Sequence, residues 1–119
     1  MKIQESAEDY LEAIYVLSKQ QQDVRAKDIC SYFGYARASV SVALKHFRED
    51  GYVDVDEHNH ITLTKKGFDI ATSMYERHQV IASIFERIGV SKDTALKDAC
   101  RVEHYISDET FEAMKNYFL

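Results

Sequence analysis

The sequence predicts a mainly α-helical protein that begins with a winged helix-turn-helix, made of three helices and a β-hairpin wing, and continues as a helical domain. Three observations support this prediction. Apolar residues recur with helical spacing in six segments of the 119-residue chain. One stretch, residues 52–64, alternates with period two instead. The order of the elements, with the hairpin directly after the third helix, is that of a winged helix-turn-helix.

Each predicted helix combines apolar residues at helical spacing with a polar cap at its start or a glycine at its end. The helical segments are residues 6–20, 25–34, 36–51, 64–89, 91–106 and 107–119. The expected N-caps are Ser6, Thr64, Ser91 and Ser107. The expected ends of the second, third and fourth helices are Gly34, Gly51 and Gly89. The two strands of the hairpin flank the turn sequence EHN.

Length and composition indicate one compact domain or two small units sharing a core. Hydrophobic residues make up 45% of the chain and charged residues 29%. No apolar run approaches the length of a membrane span and the first residues do not form a signal peptide, so a cytoplasmic location is expected. The two cysteines, Cys30 and Cys100, fit a reducing compartment and lack zinc-finger spacing. We expect a winged-helix domain at residues 1–70 and a helical domain at residues 71–119.

Positive charge is concentrated in one segment of an acidic chain. The net charge is −5, yet residues 24–48 contain five basic residues and one acidic residue. A basic segment on an acidic body is typical of a DNA-binding footprint, although a solvated charged face has the same composition.

The third helix is expected to enter the major groove of DNA. Its exposed face is predicted to carry Arg37, Ser39, Ser41, Val42, Lys45 and Arg48. Arg37 can form two hydrogen bonds with a guanine or clamp a phosphate, and the two serines are small enough to allow close approach. Phosphate contacts, which position the protein without specifying a sequence, are predicted for Arg25, Lys27, Lys65 and Lys66. The alternative is a winged helix that contacts only proteins.

The stretch DACRVEHYISDE, residues 98–109, carries a thiol, a carboxylate and an imidazole at Cys100, Glu103 and His104. On a helix these positions share one face, and such groups are costly to dehydrate without a partner. A mixed sulfur, nitrogen and oxygen set suits iron(II), cobalt, nickel, zinc or manganese, and does not suit calcium or magnesium. By spacing alone, a solvated Glu-His pair beside a core cysteine remains the alternative.

The sequence resembles, along essentially its whole length, the diphtheria-toxin-repressor family of metal-dependent transcriptional repressors, which has iron-dependent and manganese-dependent members. The segments EDYLEAIYVL, ASVSVALKHFREDGYV, ITLTKKG and RHQVIASIFERIGV carry this resemblance, and DACRVEHYISDE is its most specific part. The resemblance implies a homodimer that binds palindromic operator DNA when loaded with Fe(II) or Mn(II). It also implies that the helical domain binds the metal and mediates dimerisation.

The family's metal-ligand positions fall on Asp9, Glu12, His78, Cys100, Glu103 and His104. This set mixes the two branches of the family. Cys100 stands where the manganese branch has a carboxylate, whereas Asp9 stands where the iron branch has a methionine. Ala82 and Leu96 replace ligands of the iron branch's ancillary site, and the sequence shows no counterpart of the SH3-like domain of longer relatives.

Two other functions remain open at this stage. A carboxylate-histidine cluster could hold a hydrolytic metal ion, but no spare base or glycine-rich substrate loop is visible, so we expect a regulator and not an enzyme. A winged-helix regulator that responds to a non-metal ligand is the second alternative.

Overall fold

The computed structural model describes the backbone of residues 2–119 and the side chains of residues 6–119. The elements, in chain order, are α1 (Lys2–Gln20), α2 (Ala26–Phe33), α3 (Arg37–Glu49), β1 (Val53–Val55), β2 (Ile61–Leu63), α4 (Lys65–Arg87), α5 (Lys92–Val102) and α6 (Asp108–Phe118). The chain divides into two compact units, Met1–Thr72 and Ser73–Leu119, with the boundary inside α4. This element order confirms the predicted fold class.

In the first unit, every element contributes apolar side chains to one core. The buried residues include Tyr10, Leu11, Ile14, Val24, Ile29, Val40, Leu44, Phe47, Val53 and Ile61. Since α3 buries only the face that carries Val40, Leu44 and Phe47, its opposite face is left to solvent.

The turn between α2 and α3 depends on Gly34, which adopts a left-handed backbone with φ of 76°. Its N–H donates to the carbonyl oxygen of Cys30 at 2.7 Å and ends α2 as predicted. The strands β1 and β2 then pair antiparallel, with Val53 opposite Leu63. The N–H of Ile61 donates to the carbonyl of Val24 at 2.8 Å, so the hairpin is bonded to the connection before α2.

The second unit packs the later part of α4 against α5 and α6. Its buried apolar cluster consists of Ile81, Ala82, Ala99 and Phe111. Two of the predicted caps in the chain act through their side chains. The Thr64 Oγ1 accepts from the Gly67 N–H at 3.1 Å, and the Ser107 hydroxyl accepts from the Thr110 N–H at 3.1 Å.

Two predicted helix ends are wrong. Ser6 lies inside α1 and does not cap it, because the helix formers that precede Ser6 extend the helix back to Lys2. The fifth helix ends at Val102 and not at residue 106. There the carbonyls of Glu103 and Ile106 accept hydrogen bonds from Arg77.

Among the described residues, every helix is too short or too polar to cross a bilayer.

Gly67, in the first turn of α4, is expected to tolerate no side chain. A Cβ at this position would overlap with the carbonyl oxygen of Tyr52. Gly67→Ala should therefore destabilise the chain by about 1–3 kcal/mol in urea unfolding, although alanine is normally the better helix former. Ser73→Ala, at an exposed position of the same helix, is the control and should be neutral or slightly stabilising. Equal stability of Gly67→Ala and the parent would contradict this close approach.

Candidate nucleic-acid interface and candidate metal centre

An open groove of about 320 Å³ lies beside α2, α3 and the wing in the first unit. Its basic lining residues are Arg25, Lys27, Arg37, Lys45 and Arg48. Among the described residues that line it there is no carboxylate, so the groove is an anion site by its charge. Besides these basic residues, the predicted DNA contact Ser41 also lines the groove, whereas Ser39 and Val42 are exposed on α3 outside the lining.

The cations that α3 contributes to the groove are available for an external partner. The side chains of Arg37, Lys45 and Arg48 are exposed, and within the described part of the chain they make no hydrogen bond or ion pair. By contrast, the Lys65 ammonium pairs with the Asp69 carboxylate at 3.0 Å. Lys66 bonds to the Asp50 carbonyl at 3.2 Å and lies over the ring of Tyr52. Lys65 and Lys66 lie outside the groove lining.

The guanidinium of Arg25 is held by the wing. Its Nη2 lies 2.8 Å from Nε2 of His60, and its Nε lies 3.4 Å from the carbonyl oxygen of His58. Because arginine can only donate, His60 accepts through Nε2, and its ring proton sits on Nδ1, 3.2 Å from an oxygen of Asp56. This chain of contacts connects the start of α2 to the wing and fixes one wall of the groove.

Asn59, at the tip of the wing, also lines the groove and was not predicted from the sequence. Its backbone is left-handed, with φ of 65°. Asparagine is one of the few side-chain-bearing residues that adopt this conformation readily, so the turn sequence contained a signal for the backbone. Nothing in the sequence indicated that the side chain would line the groove.

In the second unit, the buried carboxylate of Glu103 lies between two imidazoles. Glu103 is 0% exposed. The Nδ1 of His78 lies 3.0 Å from one oxygen of Glu103, and the Nε2 of His104 lies 3.7 Å from the other. The side chain of His104 is 2% exposed and that of His78 is 22% exposed, so Glu103 and His104 are shielded from water and His78 is partly exposed.

The donor types of these residues fit a divalent transition-metal ion. Two imidazole nitrogens and a carboxylate are the mixed ligands that borderline metal ions prefer, whereas calcium and magnesium prefer oxygen ligands. Burial of an ionised carboxylate is costly, and a cation among these groups compensates that cost.

The three further predicted ligands are Cys100, in the second unit, and Asp9 and Glu12, in the first unit. Cys100 is exposed on α5, in contrast to the buried Glu103. Asp9 and Glu12 lie one turn apart on α1 of the first unit, and both are half-buried. Of the six predicted ligands, the structure thus brings His78, Glu103 and His104 together within the second unit.

Two family models match the chain. The model described as the iron-dependent repressor N-terminal DNA-binding domain matches residues 2–61. The model described as the iron-dependent repressor metal-binding and dimerisation domain matches residues 64–118.

Several proteins are similar to this chain. An uncharacterised helix-turn-helix-type transcriptional regulator of Methanocaldococcus jannaschii is 32% identical over 113 residues, which covers 93% of this chain and 90% of the relative. The transcriptional regulator MntR of Escherichia coli is 30% identical over 111 residues, covering 93% of this chain and 72% of the relative.

Two solved structures share the fold. The manganese regulator SloR is 28% identical, with a TM-score of 0.81 over 93% of this chain. A manganese-dependent transcriptional repressor in complex with manganese is 26% identical, with a TM-score of 0.85 over 94% of this chain. The chain covers 52% of each, so it spans about half the length of these solved structures.

The carboxylate of Asp56 is expected to hold the wing turn in a pH-dependent way. It accepts from the backbone N–H groups of His58 and His60 at 2.8 and 2.9 Å, and the bond from His60 is the main cause that lowers the pKa of Asp56. A pKa lowered by folding contributes stability above its unfolded value, and this stability is lost as the pH falls through the lowered pKa. Protection of the two amides against hydrogen exchange should therefore be present at neutral pH and decline below about pH 4.

Asp56→Ala should remove this protection at neutral pH. The control is Asp54→Ala, since Asp54 is exposed on β1 of the same hairpin. If Asp56→Ala retained the protection of both amides, the turn would be held by other contacts.

Proposed function

The chain belongs to the iron-dependent repressor family, and from this premise we propose that it is a metal-dependent transcriptional repressor. It binds palindromic operator DNA as a homodimer when it is loaded with Fe(II) or Mn(II), and it thereby controls metal homeostasis. The observation that carries the proposal is the presence in one chain of a basic groove along α3 and a buried glutamate that lies beside two histidines.

In this proposal α3 enters the major groove of the operator. Arg37, the first residue of α3, reaches a base edge, because the start of a recognition helix lies deepest in the groove. Lys45 and Arg48 on the same face neutralise phosphates, and Arg25 and Lys27 do so from α2 and its start. Ser39 and Ser41 allow close approach and can bond to phosphate or base.

Six residues are proposed to hold the metal: His78, Glu103 and His104, together with Asp9, Glu12 and Cys100. A divalent cation, when bound, supplies positive charge that offsets the carboxylates and the thiolate. Asp9 and Glu12 belong to the unit that carries α3, whereas the other four belong to the second unit. We propose that metal binding and DNA binding are reciprocally coupled, by about 1–3 kcal/mol in typical cases.

The same proposal covers the class and location of the protein. The relatives and the matched models are transcriptional regulators or domains of repressors, and we propose that this chain likewise is not an enzyme. Because a regulator of this kind acts on chromosomal DNA, we propose a cytoplasmic location and no membrane partner.

Metal dependence is the test of the proposed function. A DNA duplex is first selected from a random pool in the presence of Mn(II), and its affinity is then measured by fluorescence anisotropy under anaerobic conditions. Mn(II) and Fe(II) should each tighten binding by about 5- to 150-fold, and a chelator should reverse this. Mg(II) at the same concentration is the control and should have little effect, because it prefers an all-oxygen site. Equal binding by the metal-stripped protein would contradict metal activation.

Single substitutions test individual members of the proposed ligand set. Glu103→Gln should abolish the metal effect, since Glu103 is the buried anionic donor between the two imidazoles. Cys100→Ala should weaken activation by every metal, and Cys100→Glu should favour Mn(II), because a thiolate is a softer ligand than a carboxylate. Cys30→Ala is the matched control, since Cys30 packs beside the core of the first unit. Unchanged activation in Cys100→Ala would reduce the ligand set to the other five residues.

The salt dependence of DNA binding should identify the phosphate contacts. Lys45→Ala should weaken binding to all sequences and lower the slope of log affinity against log salt by about 1. Arg37→Ala should also relax sequence choice, because its proposed partner is a base edge. Lys97→Ala, at an exposed position on α5, is the control for a general change in charge. The proposed docking is wrong if the Lys45 and Lys97 variants behave alike.

A further inference from the structure

We propose that Arg77 is a positioning residue that anchors the segment 103–108 to α4 and thereby preorganises Glu103 and His104 beside His78. The inference deepens the proposed metal site and rests on it. Arg77 was not among the predicted site residues. Its neighbour in sequence, His78, is one of the proposed ligands.

The guanidinium of Arg77 bonds to three groups of this segment. Its Nη1 donates to the carbonyl oxygen of Glu103 at 3.0 Å and to that of Ile106 at 2.8 Å. Its Nη2 forms an ion pair with the carboxylate of Asp108. The same guanidinium lies over the ring of Phe111, with its carbon 5.3 Å from the ring centroid.

Because Arg77 is buried, the loss of any of these bonds is costly. Arg77 is 6% exposed, although arginine is among the residues least often buried. A buried guanidinium whose partners are removed is strongly destabilising, so the chain has to keep the carbonyls of Glu103 and Ile106 within its reach. The planar guanidinium of arginine can donate hydrogen bonds to several acceptors in fixed directions. A lysine ammonium is a point charge whose donors are not fixed in direction.

The consequence for the metal centre comes from the position of residue 103. Arg77 holds the main-chain carbonyl of Glu103, and His78 contacts its side-chain carboxylate at 3.0 Å. Two consecutive residues of α4 thus fix the backbone and the side chain of one proposed ligand. His104 follows directly in the chain, so its position is set by the same anchor. Partners behind metal ligands orient them, and losing one typically costs about 10- to 100-fold in metal affinity.

The test uses the 119-residue chain, which is stripped of metal and titrated with Co(II). The visible absorption of bound Co(II) reports the ligand geometry. Arg77→Met should bind Co(II) about 10- to 100-fold more weakly and with an altered spectrum. Arg77→Lys should be intermediate, since lysine keeps the charge but loses the planar guanidinium. In metal-free Arg77→Met, the amides of Glu103 and Tyr105 should lose the protection against hydrogen exchange that they have in the metal-free parent chain. The amide of Ala95, which donates to Ser91 at the start of α5, should keep its protection.

The matched control is Arg87→Met. Arg87 is on the same helix and also donates to a distant carbonyl, that of Phe118 at 2.7 Å, and among the described residues it has no hydrogen bond or ion pair with the segment 103–108. It should keep wild-type Co(II) affinity and exchange.

The outcomes separate the inference from the proposed function. Wild-type Co(II) affinity and wild-type exchange in Arg77→Met would overturn the inference and leave the proposed function standing. Failure of the unmutated chain to bind Co(II) would overturn the proposed function and the inference with it. If Arg77→Met does not fold, Arg77→Lys decides by the same two measurements.

Discussion

The second unit depends on one constraint, which is that the carboxylate of Glu103 is removed from water. A buried carboxyl group needs hydrogen-bonding or charged partners. His78 and His104 lie on its two oxygens, and Arg77 bonds to its main-chain carbonyl. Helix α5 ends immediately before this residue, since the carbonyls that follow are directed to the guanidinium. The segment between α5 and α6 is therefore held by polar contacts, whereas α5 and α6 themselves pack through apolar side chains.

The first unit follows a different physical rule. One face of α3 packs into the core, and the positive charge of the opposite face determines what that face can bind. The whole chain is acidic, with a net charge of −5, so it is not attracted to nucleic acid in general. Attraction is confined to the groove, where five cations are gathered without a carboxylate among the described lining residues. A local cationic surface on an acidic protein favours one orientation on DNA over many, which suits a regulator that has to distinguish its site from the rest of a genome.

Local signals in the sequence were sufficient for most of the fold. The helical period places Val40, Leu44 and Phe47 in the core, and Gly34 ends α2 in the left-handed conformation that glycine favours. The sequence could not predict features that depend on contacts between distant residues. Arg77 meets the carbonyl of Glu103 across 26 positions, and this contact ends α5 early. Arg25 meets His60 across 35 positions, so a residue predicted as a simple phosphate contact is also bonded to the wing. Periodicity carries no information about such pairs.

The contact between Arg25 and the wing has a consequence for the entropy of binding. A long arginine side chain in solution samples many rotamers, and immobilising it costs about 1.5–2 kcal/mol. Here the hydrogen bonds to His58 and His60 restrict the side chain when the domain folds. An anion that enters the groove therefore meets a guanidinium that is already ordered. Less freedom is lost on association, so more of the electrostatic attraction is retained as affinity.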